Sequence, residues 1–270
     1  MRIALVSLDQ RWMDKEANLA RCASFVSEAE ALKCELVVFP EMTLTSYSLD
    51  MRSVAELEQE SVTLSDFGVL AKKAGLSIIF GACLIEQSDT FPRNKLCLAL
   101  PDGTSKAIYS KIHPFSFAGE DKFLQAGSQV VSAKIGILEF GASICYDLRF
   151  PEIYSAMAPT CNAAIVIANW PINRIAHWRS LLIARAIENQ FFMFGVNRIG
   201  SDGNGLVYEK SSLVVSPDGV LNKPFIKGIE MDVYDIDIQD TALYRADFPT
   251  FHDKRYALYH NLFGSLINVE

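Results

Sequence analysis

The stretch Gly141-Ala142-Ser143-Ile144-Cys145-Tyr146-Asp147-Leu148-Arg149-Phe150-Pro151-Glu152 decides how this chain is read. A small, apolar run leads straight into Cys145, a polar turn follows at once, and a helix is expected to begin near Pro151. A buried strand therefore runs into a turn with a thiol at the corner. That corner exposes a nucleophile beside the backbone N–H groups of the turn. A cysteine that serves only as a small buried hydrophobe needs no such setting.

The same alternation continues on both sides. Residues 2–8, Leu36-Val37-Val38-Phe39-Pro40, 77–85, 129–133, 135–145, 163–168, 191–196 and 230–237 read as strands. Residues 14–33, 54–74 and 173–189 carry apolar side chains at helical spacing. Two hairpins interrupt the pattern. Segments 94–100 and 104–110 flank Pro101-Asp102-Gly103, and 206–222 turns at Pro217-Asp218-Gly219. The reading is an α/β fold with mixed sheets covered by helices. The hairpins fall about 100 residues apart, each after a strand–helix stretch, which hints at two equivalent halves. Without a Ser/Gly/Pro-rich linker, residues 1–270 are expected to form one domain.

Composition excludes several classes of function. The chain has 270 residues, half of them hydrophobic, and a formal net charge of −7. Such a balance lacks the basic footprint that nucleic acid requires. The six cysteines form no CxxC pair and sit within apolar segments, as reduced thiols of a cytoplasmic protein do. The apolar run at the N-terminus is too short for a signal peptide, and no stretch approaches the ~18 residues of a membrane span. No His/Cys spacing suits zinc, and no phosphate-binding glycine motif follows the first strand, so neither metal nor cofactor is expected. Asp202-Gly203-Asn204-Gly205 lacks the later glutamate of a calcium loop.

Three polar residues stand at the ends of apolar strands: Glu41 after 36–40, Lys111 after 107–110, and Cys145 after 137–144. Strand ends of an α/β sheet gather on one rim, where ligands bind. A carboxylate, an ammonium and a thiol on one rim suffice for acyl transfer. Glu41 takes the thiol proton, Cys145 attacks, and Lys111 stabilises the thiolate and the oxyanion, lowering the cysteine pKa as it does so. One such donor contributes roughly 3–4 kcal/mol in the transition state. A Cys145–His113 dyad is the nearest rival, because His113 and Lys111 share a strand face.

The segments Phe39-Pro40-Glu41, Tyr109-Ser110-Lys111-Ile112-His113 and Ile144-Cys145-Tyr146-Asp147-Leu148-Arg149-Phe150-Pro151-Glu152 resemble the Glu, Lys and Cys motifs of the nitrilase (carbon–nitrogen hydrolase) superfamily. The resemblance implies a four-layer α-β-β-α sandwich, usually dimeric, and a Glu–Lys–Cys triad that forms a thioester. It also implies a second glutamate after the lysine. Glu120 occupies that place, with Asp121 as the adjacent competitor, and would position Lys111 and the substrate amide. The backbone N–H of Tyr146 is expected to complete the oxyanion site.

A narrower resemblance covers Ala168-Asn169-Trp170-Pro171-Ile172-Asn173-Arg174, His177-Trp178, Ala184-Arg185-Ala186-Ile187-Glu188-Asn189-Gln190 and 197–205, which look like the omega-amidase branch. Those enzymes hydrolyse the terminal amide of 2-oxoglutaramate or succinamate. Such substrates carry a distal carboxylate, and a guanidinium is the best-shaped partner for one. Arg174 is therefore the expected clamp, with Asn169 and Trp170 beside the substrate and Tyr146 as a second aromatic wall. Arg149 is expected to pair with a carboxylate and brace the nucleophile turn. The chain departs from these relatives at Ser46 and Lys210, where glycine is usual, and at Pro114, where leucine is common. Ser46 is expected to narrow or polarise the pocket. The triad does not separate an omega-amidase from an aliphatic nitrilase or an N-carbamoyl amidase. A binding module that kept the fold and lost turnover is the non-enzymatic alternative.

Overall fold

Every residue of Ile3-Ala4-Leu5-Val6 is buried, and the alternation of its side chains places the strand between two cores. Ile3 and Leu5 enter one core, Ala4 and Val6 the other. The same division recurs in Ala163–Ala168, where Ile165 and Ile167 face one way and Ala164, Val166 and Ala168 the other. Strands buried on both faces read as continuous apolar runs and require cover on both sides.

The computed structural model describes residues 1–262; residues 263–270 of the domain expected from the sequence lie outside the described residues. The larger sheet takes its strands in the order Ile226–Lys227, Met231–Asp235, Arg2–Val6, Leu36–Val38, Ser77–Ile85, Arg93–Ala99, Ser105–Ser110, with Glu56–Leu57 beside Ser77–Ile85. The smaller runs Leu213–Val215, Phe192–Asn197, Ala163–Ala168, Leu138–Ile144, Ser132–Ile135. In each sheet three neighbouring strands run parallel and are flanked by antiparallel ones, and in the larger sheet the short Glu56–Leu57 also pairs in parallel with Ser77–Ile85. The two sheets share this plan.

One core lies between the sheets, where Ile3, Leu5, Val38 and Ile79 meet Phe140, Ile144, Ile165 and Phe194. Helices Lys15–Ala31 and Val62–Ala74 cover the outer face of the larger sheet through Cys22, Val26, Phe67 and Ala71. Helices Pro151–Met157 and Ile175–Asn189 cover the smaller sheet through Tyr154, Met157, Trp178 and Leu182. The four layers are the α-β-β-α sandwich expected.

Two expected elements differ. The helical period over 54–74 resolves into a short turn, a strand and a helix that starts only at Val62. Ser61 caps that helix by accepting from the Leu64 N–H, and Glu56, upstream, accepts from the Thr63 N–H. The segment 206–222 is not one hairpin. Its turn forms, with the Gly219 N–H donating to Ser216 O, but Val207–Tyr208 pairs with Gly200–Ser201 and Leu213–Val215 with Phe192–Asn197. All six cysteines are free thiols. Among the described residues no helix is long and apolar enough to cross a membrane, and no three His, Cys, Asp or Glu side chains gather as a metal site.

Candidate active site

Glu41 ends the extended run that begins at Leu36, and the chain turns sharply after it, with Met42 at φ 45°. The turn is held from two sides. Gln10 donates its amide to the carbonyls of Glu41, Met42 and Thr43, at 3.0, 2.9 and 3.1 Å. Beneath it runs Gly81, where an added Cβ would stand 2.4 Å from the Met42 nitrogen, so only glycine lets that strand pass so close. Glu41 is fully buried. Its Oε1 accepts from Asn94 Nδ2 at 2.7 Å and Lys111 Nζ at 3.1 Å, and its Oε2 from the Asn169 N–H at 2.8 Å.

Lys111 follows the strand Ser105–Ser110, and its N–H donates to Asn94 O at 2.9 Å across the sheet. Its ammonium bonds Glu120 at 2.8 and 3.1 Å as well as Glu41. Burial alone would lower the Lys111 pKa; Glu120 and then Glu41 more than offset it, and the ammonium is held well above its ordinary range. Glu120 is buried in a short helical turn, anchored by the Phe115 N–H at 2.6 Å and the Tyr47 hydroxyl at 3.3 Å. Asp121 beside it is exposed, so the buried acid is Glu120. His113 pairs with Asp147 at 2.8 Å and stacks on Phe150, and does not line the cleft that holds Cys145.

Cys145 sits where Leu138–Ile144 passes into a 3-10 turn, in the left-handed region at φ 48°. Asp147 fixes that turn: Oδ2 accepts from the Ile144 N–H at 3.0 Å and the Tyr109 hydroxyl at 2.8 Å, and Oδ1 from the His113 N–H at 3.0 Å. Arg185 braces its far side with two bonds to Leu148 O, at 3.2 and 3.0 Å. The N–H of Tyr146 lies in the first turn of this segment, where N–H groups have no partner within the helix. Burial, and next the Glu41 charge, push the Cys145 thiol well above its ordinary range; Lys111 pulls the other way and is outweighed.

Glu41, Lys111 and Cys145 line one cleft together with Asn169, Trp170 and Arg174. Trp170 is held by its indole N–H on Arg174 O at 2.8 Å, and the Arg174 guanidinium lies over the Phe115 ring at 5.7 Å. Arg149 also lines the cleft. It faces the Trp170 ring at 4.8 Å and His177 Nδ1 at 3.4 Å rather than a carboxylate, and the bracing expected of it falls to Asp147 and Arg185. Among the described residues neither Arg149 nor Arg174 forms an ion pair, and two unpaired guanidiniums share one cleft with the thiol.

Three further residues are placed by the structure. Asn169 lines the cleft; its Nδ2 donates to Glu41 O at 2.7 Å, and its Oδ1 has no partner among the described residues. Ser46 adopts the left-handed conformation that a glycine would suit, at φ 62°, yet its hydroxyl accepts from the buried Arg198 behind the cleft wall rather than facing the cleft. Lys210 bonds Asp232 at 2.7 Å and Gly228 O at 2.6 Å, also away from the cleft. Asp202 spends its carboxylate on the N–H groups of Asn204 and Leu206 and on the Tyr208 hydroxyl. Sequence reasoning missed Asn94 and Tyr47. Asn94 stands across the sheet from Lys111, whose N–H its carbonyl accepts, a pairing that no local pattern in the sequence shows.

The family model described as carbon-nitrogen hydrolase matches residues 2–246. The chain is 32% identical over 256 residues to the omega-amidase YafV of Escherichia coli (strain K12), covering 94% of this chain and 96% of that one. It is 33% identical over 261 residues to the 2-oxoglutaramate amidase of Bacillus subtilis (strain 168), covering 95% and 98%. Among solved structures, XC1258 of Xanthomonas campestris, a CN-hydrolase superfamily protein with an arsenic adduct in its active site, superposes with a TM-score of 0.86 at 27% identity, covering 94% of this chain and 97% of that one.

Proposed function

The chain belongs to the carbon–nitrogen hydrolase family, and from that premise we propose that it is an omega-amidase-type enzyme that hydrolyses the terminal amide of a small carboxylate-bearing substrate such as 2-oxoglutaramate or succinamate. The observation that carries the substrate class is the pair Arg149 and Arg174, two guanidiniums without an acid partner among the described residues, in the cleft of Cys145.

Glu41 is the base, Cys145 the nucleophile. Glu41 takes the thiol proton as sulfur bonds the amide carbon, and the oxyanion that forms is held by Lys111 and the Tyr146 N–H. Collapse breaks the C–N bond, and the proton on Glu41 leaves with ammonia. Glu41 then takes a proton from water as its oxygen attacks the thioester. Breaking the C–S bond frees the acid and restores the thiol. Glu120 keeps Lys111 charged and in place. Neither Lys111 nor Glu120 needs to change protonation. The proton that Glu41 removes from Cys145 on attack is the one the leaving group requires.

We read residues 1–270 as one catalytic unit in a cytoplasmic homodimer. Exposed Ile187 and Leu243 on the outer helices support an apolar contact between copies, which light scattering tests.

The deciding experiment measures ammonia release from succinamate, 2-oxoglutaramate, a neutral aliphatic amide, a nitrile and an N-carbamoyl amino acid, with wild type and Cys145→Ala. Release from the carboxylated amides that Cys145→Ala abolishes is the expected result. Preference for the nitrile or carbamoyl compound moves the enzyme to another branch of the family. Arg149→Ala and Arg174→Ala are each expected to raise KM for the carboxylated amides far more than for the neutral one.

A further inference from the structure

Asn94 stands at the start of the strand Arg93–Ala99, is 1% exposed, and touches both carboxylates of the cluster. Its Nδ2 donates to Glu41 Oε1 at 2.7 Å and to Glu120 Oε1 at 3.3 Å. Lys111 Nζ bridges the same two oxygens at 3.1 Å each. Two donors therefore span the gap between two buried acids. The amide makes the shorter bond to Glu41. The orientation of the amide follows from charge: turned over, its carbonyl oxygen would face two carboxylates.

The charges around Glu41 explain why a second bridge is needed. Lys111 faces it from the strand end after Ser110, Glu120 from the turn 120–122, the Cys145 thiol from the turn after Ile144, and the Tyr47 hydroxyl from the loop after Glu41 itself. Two carboxylates share one ammonium, so the cluster carries a net negative charge in a site shielded from water. A neutral donor placed on both ties the two carboxylates together without adding a cation that would compete for the thiolate or the leaving group.

We infer that Asn94 is a positioning residue that holds Glu41 aimed as the base, by bridging it to Glu120 alongside Lys111. The inference rests on the role proposed for Glu41, but not on the identity of the amide substrate. The bond from Asn94 to Glu41 is the shorter of the two, 2.7 Å against 3.3 Å to Glu120, while the second oxygen of each acid keeps its own donors. Loss of the amide is therefore felt more at Glu41.

The test uses a readout free of substrate choice: the pH dependence of Cys145 alkylation by iodoacetamide, followed by mass mapping of the Cys145 peptide. Asn94→Ala and Asn94→Ser are compared with wild type, and thermal melting checks that each is folded. The acid limb of the alkylation profile is expected to move upward by roughly one pH unit in Asn94→Ala, and less in Asn94→Ser. On whichever amide the enzyme turns over, kcat falls while KM stays within about twofold. A folded variant whose acid limb stays in place, or moves downward, overturns the inference even if its activity falls. If Asn94→Ala does not fold, Asn94→Ser carries the same two outcomes. Failure of all tested amides to turn over bears on the proposed substrate alone and leaves the alkylation result to decide.

Discussion

The backbone N–H of Asn169, at the end of a strand in the smaller sheet, donates to Glu41 Oε2 at 2.8 Å, at the end of a strand in the larger. The carboxylate proposed as the base is thus aimed by the sheet that carries the thiol. The Asn169 side chain adds a bond to Glu41 O at 2.7 Å. Asn169→Ala keeps the backbone bond and loses that one, which unlocks the Glu41 turn. Stability is expected to fall by about 1–2 kcal/mol, as one buried bond is lost. Turnover falls roughly tenfold with little change in KM, as for an interaction that matters once the acid must reach the thiol. Denaturant melts and steady-state kinetics check both.

The raised Cys145 pKa makes a prediction whose sign separates two mechanisms. If the resting site held a standing thiolate paired with Lys111, Glu41→Gln would remove a repelling negative charge and speed alkylation of Cys145. If the thiol stays protonated and Glu41 removes the proton during attack, the same substitution slows alkylation at pH 7. Burial and Glu41 together outweigh Lys111, so the second outcome is expected, with a loss of at least about a hundredfold, the usual contribution of a positioned base. Stopped-time labelling with iodoacetamide, read at the Cys145 peptide, settles it; the other five cysteines serve as internal controls.

What was legible in the chain and what was not divides by distance along it. Strands buried on both faces announce themselves as unbroken apolar runs, so Ile3–Val6 and Ala163–Ala168 were plain. Glu41, Lys111 and Cys145 were legible because each breaks such a run abruptly. Glu120 lies in an irregular loop with no period to flag it, and only the family resemblance singled it out. Arg149 was expected to pair with a carboxylate, whereas its guanidinium faces the Trp170 ring. Asn94 and Asn169 act on a carboxylate 53 and 128 positions away. No local pattern encodes such pairs; the meeting of the two sheets creates them.

Glu56 is the residue whose charge ties stability to pH outside the cleft. Burial opposes its ionisation, but Lys15 Nζ at 2.7 Å and the hydroxyls of Ser61 and Thr63 at 2.5 and 2.6 Å win, taking its carboxyl from near 4.5 down to about 2. A carboxyl whose folded value lies below its unfolded value stabilises the fold above the unfolded value and loses that contribution as pH falls toward the folded one. Wild type is therefore expected to lose stability between about pH 4.5 and 2 in part through this group. Glu56→Gln, which cannot ionise, lowers the melting temperature at pH 7 and flattens its dependence across that window. Melting curves at intervals from pH 7 to pH 2 check this. An unchanged slope would show that the bonds to Glu56 do not depend on its charge.

Ser46 offers a test of strain against hydrogen bonding. At φ 62° it occupies the region that costs a non-glycine residue about 1 kcal/mol. Its hydroxyl accepts from Arg198, a buried guanidinium that also donates to Gln10 O, Ile199 O and Ser201 O and lies over the Tyr208 ring at 4.6 Å. Ser46→Ala keeps the strain and leaves a buried donor of Arg198 unmet, at a cost of about 1–3 kcal/mol. Ser46→Gly loses the same bond but relieves the strain, so it should melt above Ser46→Ala. Because Ser46 sits behind the wall that Tyr208 presents to the cleft, neither variant is expected to alter the ratio of kcat/KM between carboxylated and neutral amides by more than about twofold. Melting temperatures give the order of the three side chains, and paired kinetics on the two amide classes give the ratio. A change in that ratio would mean that Ser46 shapes the cleft through Arg198 and Tyr208 after all, and that the hydroxyl was placed there for selectivity rather than for the fold.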